Sequence, residues 1–156
     1  MFVKHIICSV IAKNKGAFSA AQEKWYQTKE APGFLGQLGG WELTDNTSAH
    51  ILSFWISERY LKNFMDQLHD TIFENNRQQS TYNSIRVYHY NAGMDPSIST
   101  LLPDSIQTAT TLRITDPETI LPENTLKISH NINTILIGDP DQLTKTIAVV
   151  DAWKIV

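Results

Sequence analysis

Two stretches, FLGQLGGWEL at 34–43 and HILSFWI at 50–56, carry apolar side chains on both faces of what would be extended strands. Phe34 and Leu38 alternate with Leu35 and Trp41; Leu52 and Phe54 alternate with Ile51 and Trp55. Side chains of a strand point alternately to opposite faces, so such strands belong to a sheet covered on both sides. A bare apolar face of that size would be an association surface. Asp45-Asn46 supplies a turn between the two stretches, which predicts a hairpin. Gly36, Gly39 and Gly40 are costly inside a strand. They predict a bulge, a strong twist, or the close approach of another backbone or a ligand.

The surrounding pattern fixes the order of elements. Phe2 to Ile11 is rich in Val and Ile and reads as a buried strand. Asn14 is placed to cap a helix over Ala17–Thr28, in which Phe18, Ala21 and Trp25 share a face, and Pro32-Gly33 ends it. Ser57 is placed to cap a second helix whose stripe is Leu61, Phe64, Met65, Leu68 and Ile72, and which fades near Asn75-Asn76. Ser84 to Tyr90 is a fourth strand, closed by Asn91-Ala92-Gly93 and Asp95-Pro96. The order β-α-β-β-α-β is the split βαβ arrangement of ferredoxin-like folds, an α+β class. Helices cover one face of its sheet, and a second subunit is the simplest cover for the other, which predicts a homodimer through the sheet.

We divide the chain into residues 1–95, the ferredoxin-like unit, and 98–156, a β-rich C-terminal region. The latter has ten threonines between Thr100 and Thr146 and predicts strands near 107–115, 125–129, 134–137 and 146–155. Pro140–Lys145, capped by Asp139, is the only short helix expected there. A fold-back of this region onto the sheet would replace the second subunit. The 156 residues carry a net charge of −3, four Lys/Arg against seven Asp/Glu falling in 98–156, and no basic cluster that would steer nucleic acid. No stretch approaches the about 20 apolar residues of a membrane span, and no signal peptide precedes the first strand, so we expect a cytoplasmic protein. Cys8 is a buried thiol. His5, His50, His69, His89 and His130 show no metal-ligand spacing, and GQLGG lacks the helix that a phosphate loop requires. His50 is expected to be exposed, and His5 and His89 to be neighbours if strands one and four are adjacent.

Three segments carry a resemblance: PGFLGQLGGW after the first helix, SFWISERYLKNFM from strand three into helix two, and HDTIFENNRQQSTYNSIRV leading to strand four. Over about 60% of the chain they resemble the dimeric α/β-barrel superfamily of antibiotic-biosynthesis-monooxygenase-like proteins, in particular a bacterial branch that is a domain of unknown function. Some members of the branch look like two fused ferredoxin-like units. Leu112-Arg113-Ile114 and Ala152–Val156 are similar to the first and last strands of such a second, degenerate unit.

The resemblance implies a pocket between sheet and helices for a small apolar or aromatic ligand, and a monooxygenase-like activity that needs no cofactor. A non-catalytic ligand-binding or assembly module on the same fold is the alternative. At 100° per residue, His69 stands about 80° from Leu61 on the flank of Phe73, bordering the core. Asp70 falls opposite, toward solvent, and is not expected to orient the imidazole. His69 is the candidate base, the reference pKa of an imidazole side chain being near 6.5. Trp25, Gln22, Trp41, Trp55, Phe64 and Phe73 are the candidate pocket residues. Heme is the second alternative. The heme-degrading relatives use an axial histidine with a nearby tryptophan and asparagine, but this chain has Glu74 where the histidine and Phe64 where the tryptophan would fall, so His69 would be a relocated ligand.

Overall fold

The computed structural model describes residues 1–92, 96–115, 126–130, 133–138 and 145–156. Strand β1 (Phe2–Ser9) runs antiparallel between β3 (Ser48–Trp55) and β4 (Ser84–Asn91), and β2 (Phe34–Glu42) pairs with β3 on its other side. Helix α1 (Lys15–Glu23) continues as a 3-10 turn over Lys24–Glu30, so the first helical segment is tighter at its end than the expected regular helix. The second is α2 (Glu58–Phe64), a π turn (Met65–His69) and α3 (Asp70–Asn76), closed by Arg77 in the left-handed conformation at φ 52°. Ser57 occupies the N-cap of α2, but its hydroxyl makes no capping bond. Asn14 precedes α1 in the same way and donates instead to the Thr81 carbonyl at 3.3 Å.

Beyond Ala92 the chain holds a helix that was not expected, followed by four strands near the expected stretches. Residues Pro96–Thr108 form helix α4, with Pro103 inside it. The strands that follow are β5 (Thr111–Thr115), β6 (Leu126–His130), β7 (Asn133–Gly138) and β8 (Lys145–Val149). The expected helix at 140–145 falls on residues 140–144, outside the described ones. All eight strands form one antiparallel sheet in the order β4-β1-β3-β2-β8-β5-β7-β6.

This sheet curls. Val3, Leu38, Leu52 and Phe54 on one face of the first four strands share a core with Leu102 and Ile106 of α4 and with Leu112, Ile128, Ile135, Ile137 and Ile147 of the last four. The second apolar face, expected to meet another subunit, is thus covered by α4 and β5 to β8 of the same chain. Among the described residues, fourteen buried hydrophobic ones stand in that core, so it is the main site of apolar burial and not a lateral appendage.

The glycines explain how the halves join. Gly36 lies at a β-bulge with φ +149°, where a side chain would meet Ile106 of α4. At Gly40 a Cβ would run into the backbone carbonyl of Ala148 in β8. The close approach that the sequence anticipates is therefore made by the chain's own C-terminal half. The last residues return to β2: Gln37 and Ile155 exchange backbone hydrogen bonds of 2.8 and 3.0 Å, and Trp153 is fully buried.

Candidate functional site

The other face of the first four strands is roofed by α1, α2, α3 and the turns between them. Between roof and sheet lies a cavity of about 270 Å³. Gln22, Trp25 and Thr28 line it from the first helical segment, Phe64, His69 and Phe73 from the second, and Lys4, Ser53 and Trp55 from the sheet. A neighbouring cavity of about 360 Å³ shares Lys4, Leu61, Met65 and Val87 with it and opens past His89 and Glu58. Apolar side chains dominate the wall of the first, while Lys4, Glu58, Lys62 and His89 make up half the lining of the second.

His69 sits among three aromatic rings. Its ring centroid is 5.4 Å from Trp25, 5.9 Å from Phe64 in an edge arrangement, and 5.8 Å from Phe73 in a stacked one. Its Nδ1 is 2.9 Å from Asp70 Oδ1. This corrects the helical-wheel expectation that Asp70 cannot reach the imidazole. The wheel gives only the direction in which each Cβ leaves the helix, and Asp70 does stand toward solvent; the backbone joining the two residues is α-like, with ψ −51° at His69 and φ −66° at Asp70, and their side chains still reach each other round the helix surface. The carboxylate accepts from Nδ1–H and leaves Nε2 as the nitrogen for the cavity. The Asp70 side chain is 85% exposed while that of His69 is 19% exposed, so the pair spans from solvent to the cavity wall.

A buried amide chain holds Trp25. Its indole Nε1 donates to Gln78 Oε1 at 2.7 Å, and Gln78 Nε2 donates to Gln22 Oε1 at 3.0 Å. Gln78 was not foreseen: nothing in QQS at 78–80 distinguishes a buried amide from a loop residue. The hydroxyl of Thr28, 3% exposed and lining the cavity, has no hydrogen-bond partner among the described residues. Buried hydroxyls are ordinarily paired, so it marks a place for a ligand or water. The Cys8 thiol also lines the cavity, and burial pushes its pKa up to about 12, so it stays protonated.

Of the expected pocket residues, Gln22, Trp25, Trp55, Phe64 and Phe73 converge with His69 on one cavity. Trp41 does not. It lies on the same sheet face but nearer the far end of β2, where Phe18 (5.7 Å) and Trp153 (5.4 Å) pack against it and Lys15 Nζ stands 4.2 Å over its ring. Two histidine expectations also fall. His50 is 1% exposed, not exposed. His5 and His89 lie on adjacent strands but face opposite sides: His5 pairs with Tyr88, while Lys4 pairs with His89. His5 instead joins a polar chain on the curled face. Tyr90 Oη lies 3.5 Å from His5 Nδ1, His5 Nε2 3.0 Å from His50 Nδ1, and His50 Nε2 3.0 Å from Glu42 Oε2. Among the described residues no three His, Cys, Asp or Glu side chains converge on a metal position.

With this geometry in view, comparison with known proteins places the chain. A curated relative, the uncharacterized protein YdbC of Bacillus subtilis (strain 168), is 38% identical over 92 residues, spanning 58% of this chain and 77% of the relative. A solved antibiotic biosynthesis monooxygenase-like protein of Nitrosomonas europaea aligns with a TM-score of 0.51 and 15% identity, over 61% of this chain and all of its own. A monooxygenase-like protein of Fusobacterium nucleatum subsp. nucleatum aligns with a TM-score of 0.56 and 12% identity, over 97% of this chain and 77% of its own. At such identities the likeness concerns the fold, which is α+β with a curled antiparallel sheet. Among the described residues no helix is long and apolar enough to cross a membrane. Residues 2–90 match the family described as Domain of unknown function (DUF4937), and the chain belongs to that family.

Proposed function

We propose that this protein is a cofactor-independent oxygenase for an electron-rich aromatic substrate of one or two rings, with His69 as the base. The observation that carries the reading is the Asp70-oriented His69 imidazole set in an aromatic wall of an apolar cavity. Its volume of about 270 Å³ compares with the about 150 Å³ that suffices for benzene. Nε2 takes a proton from a phenol, or from a methylene between aromatic rings, and the carbanion or phenolate then reacts with oxygen. For a methylene the balance is R₂CH₂ + O₂ → R₂C=O + H₂O: the substrate supplies all four electrons that reduce O₂, and no cofactor is consumed. Trp25, Phe64 and Phe73 hold the ring and exclude water, and the Asp70 carboxylate stabilises the imidazolium. The structural neighbours, monooxygenase-like in name, support the same direction.

The test is oxygen uptake over a panel of hydroquinones and anthrone-type methylenes, for the parent protein and His69→Ala. Uptake by the parent, lost in the variant with folding intact, is the expected result. Saturable binding across the panel without uptake would instead make the protein a binding module.

A further inference from the structure

The floor of the cavity contains a polar row that strand register alone creates. His89 on β4 pairs with Lys4 on β1, Lys4 with Ser53 on β3, and Ser53 with Gln37 on β2. Directly opposed residues bring their Cβ atoms to about 5 Å, so the four side chains form a continuous line across the sheet. The flanking positions are apolar: Phe2 and Trp55 on one side, Ile6 and Ile51 on the other. Lys4 is 9% exposed, Ser53 8% and Gln37 5%, and all three line the cavity.

Lys4 is poorly served in this place. Among the described residues its ammonium meets only the thioether of Met65, at 3.3 Å, and a thioether is a weak acceptor. Among the described residues no carboxylate lies within ion-pair distance of it. Glu58, which lines the outer cavity beside Lys4, does not reach it. A buried amine without an anionic partner is costly. Beside it, Ser53 Oγ accepts from Trp55 Nε1 at 3.0 Å, which leaves the hydroxyl hydrogen free to donate. Gln37 is occupied, donating to the Trp153 carbonyl at 3.4 Å. The row therefore offers one cation and one hydroxyl donor, side by side, under an aromatic roof.

We propose that the cavity's ligand is an aromatic molecule with one anionic oxygen, a carboxylate or a phenolate, held by the Lys4 ammonium and the Ser53 hydroxyl. The inference deepens the reading of this cavity as a small-aromatic site and rests on it. An anionic oxygen supplies the partner that Lys4 lacks, while the ring lies between Trp55 and the residues around His69. If the oxygen is phenolic, the Lys4 charge favours its phenolate form.

The test is equilibrium binding followed by quenching of tryptophan fluorescence, since Trp25 and Trp55 line the cavity. The probes are 2-naphthoate, 2-naphthol and the neutral isostere 2-naphthamide, against the parent protein, Lys4→Met and Ser53→Ala. The parent should prefer naphthoate or naphthol over the amide by at least about tenfold, the scale of one charge-assisted hydrogen bond. Lys4→Met keeps an unbranched apolar side chain and should bind the amide as the parent does, with the anionic preference gone. Ser53→Ala should lose a few-fold on the preferred probe. Naphthoate outranking naphthol identifies a carboxylate ligand, and the reverse a phenol. Equal affinity of the parent for all three, or an anionic preference that survives in Lys4→Met, overturns this inference while leaving the cavity reading in place. No binding of any probe overturns both.

Discussion

Replacing Gln78 by leucine tests whether the amide chain is what holds the aromatic wall of the cavity. The substitution keeps the side chain's bulk and removes both of its polar atoms. Two hydrogen bonds go with it, from Trp25 Nε1 at 2.7 Å and to Gln22 Oε1 at 3.0 Å. Gln22 is 4% exposed, so its orphaned carbonyl oxygen bears a penalty of about 1–3 kcal/mol. Trp25 is only partly buried and its N–H can recover some hydration, which limits its share to about 1 kcal/mol. A leucine in that position returns part of this through apolar burial, leaving a net loss of about 2–3 kcal/mol. For a chain of this size that lowers Tm by about 5–10 °C. Urea unfolding followed by fluorescence and a thermal melt measure it. A cycle with Trp25→Phe, which removes the same N–H from the other side, sharpens the reading. The double variant should lose about 1 kcal/mol less than the sum of the singles, because they share one bond. A Gln78→Leu protein within 0.5 kcal/mol of the parent, or strictly additive variants, would refute the argument that these amides brace Trp25.

Two further outcomes are expected. Leu52 lies fully buried on the face that the C-terminal half covers. Leu52→Ala should therefore cost about 2–5 kcal/mol, with an unfolding midpoint that does not move with protein concentration; a concentration-dependent midpoint would mean that a second subunit contributes to that core. His89 has its pKa lowered from 6.5 by burial and by the nearby Lys4 charge, with Glu58 opposing. The unfolded chain then takes up this proton first, so stability falls as pH drops below about 6.5 and levels off once the folded form is protonated too. Unfolding midpoints of His89→Gln measured across that range should fall less steeply than those of the parent, and parallel curves would contradict the sign.

Much of the architecture is readable from local pattern. Period-two alternation, a helical stripe at Leu61, Phe64 and Leu68, and turn residues between them specify the first four strands and their two helical segments. These signals lie within a few residues of one another and answer to backbone geometry alone. Helix α4 was missed because Pro96 and Pro103 and a Ser/Thr-rich composition read as chain breakers. Yet Ile98, Leu102 and Ile106 stand four apart, and the buried Leu102 and Ile106 show that apolar spacing outweighed the prolines. The candidate pocket was largely legible for the same reason that the helices were, since its aromatic residues flank the buried stripes. Trp41 was not separable from Trp55, because alternation gives the face of a sheet and not the position along the strand at which a roof ends.

What only the tertiary structure decided depends on register and on side-chain conformation. Asp70 reaches the His69 imidazole through the side chains' own rotation, which a helical wheel does not describe. The chain Glu42–His50–His5–Tyr90 joins residues from four strands, and the row His89–Lys4–Ser53–Gln37 joins residues from the same four. No local feature of the sequence aligns them, because a slip of one residue in any pairing would send each to the opposite face. By itself the sequence required that both faces of the sheet be covered; the close passage of Gly36 and Gly40 against α4 and β8 decided that the cover comes from the same chain.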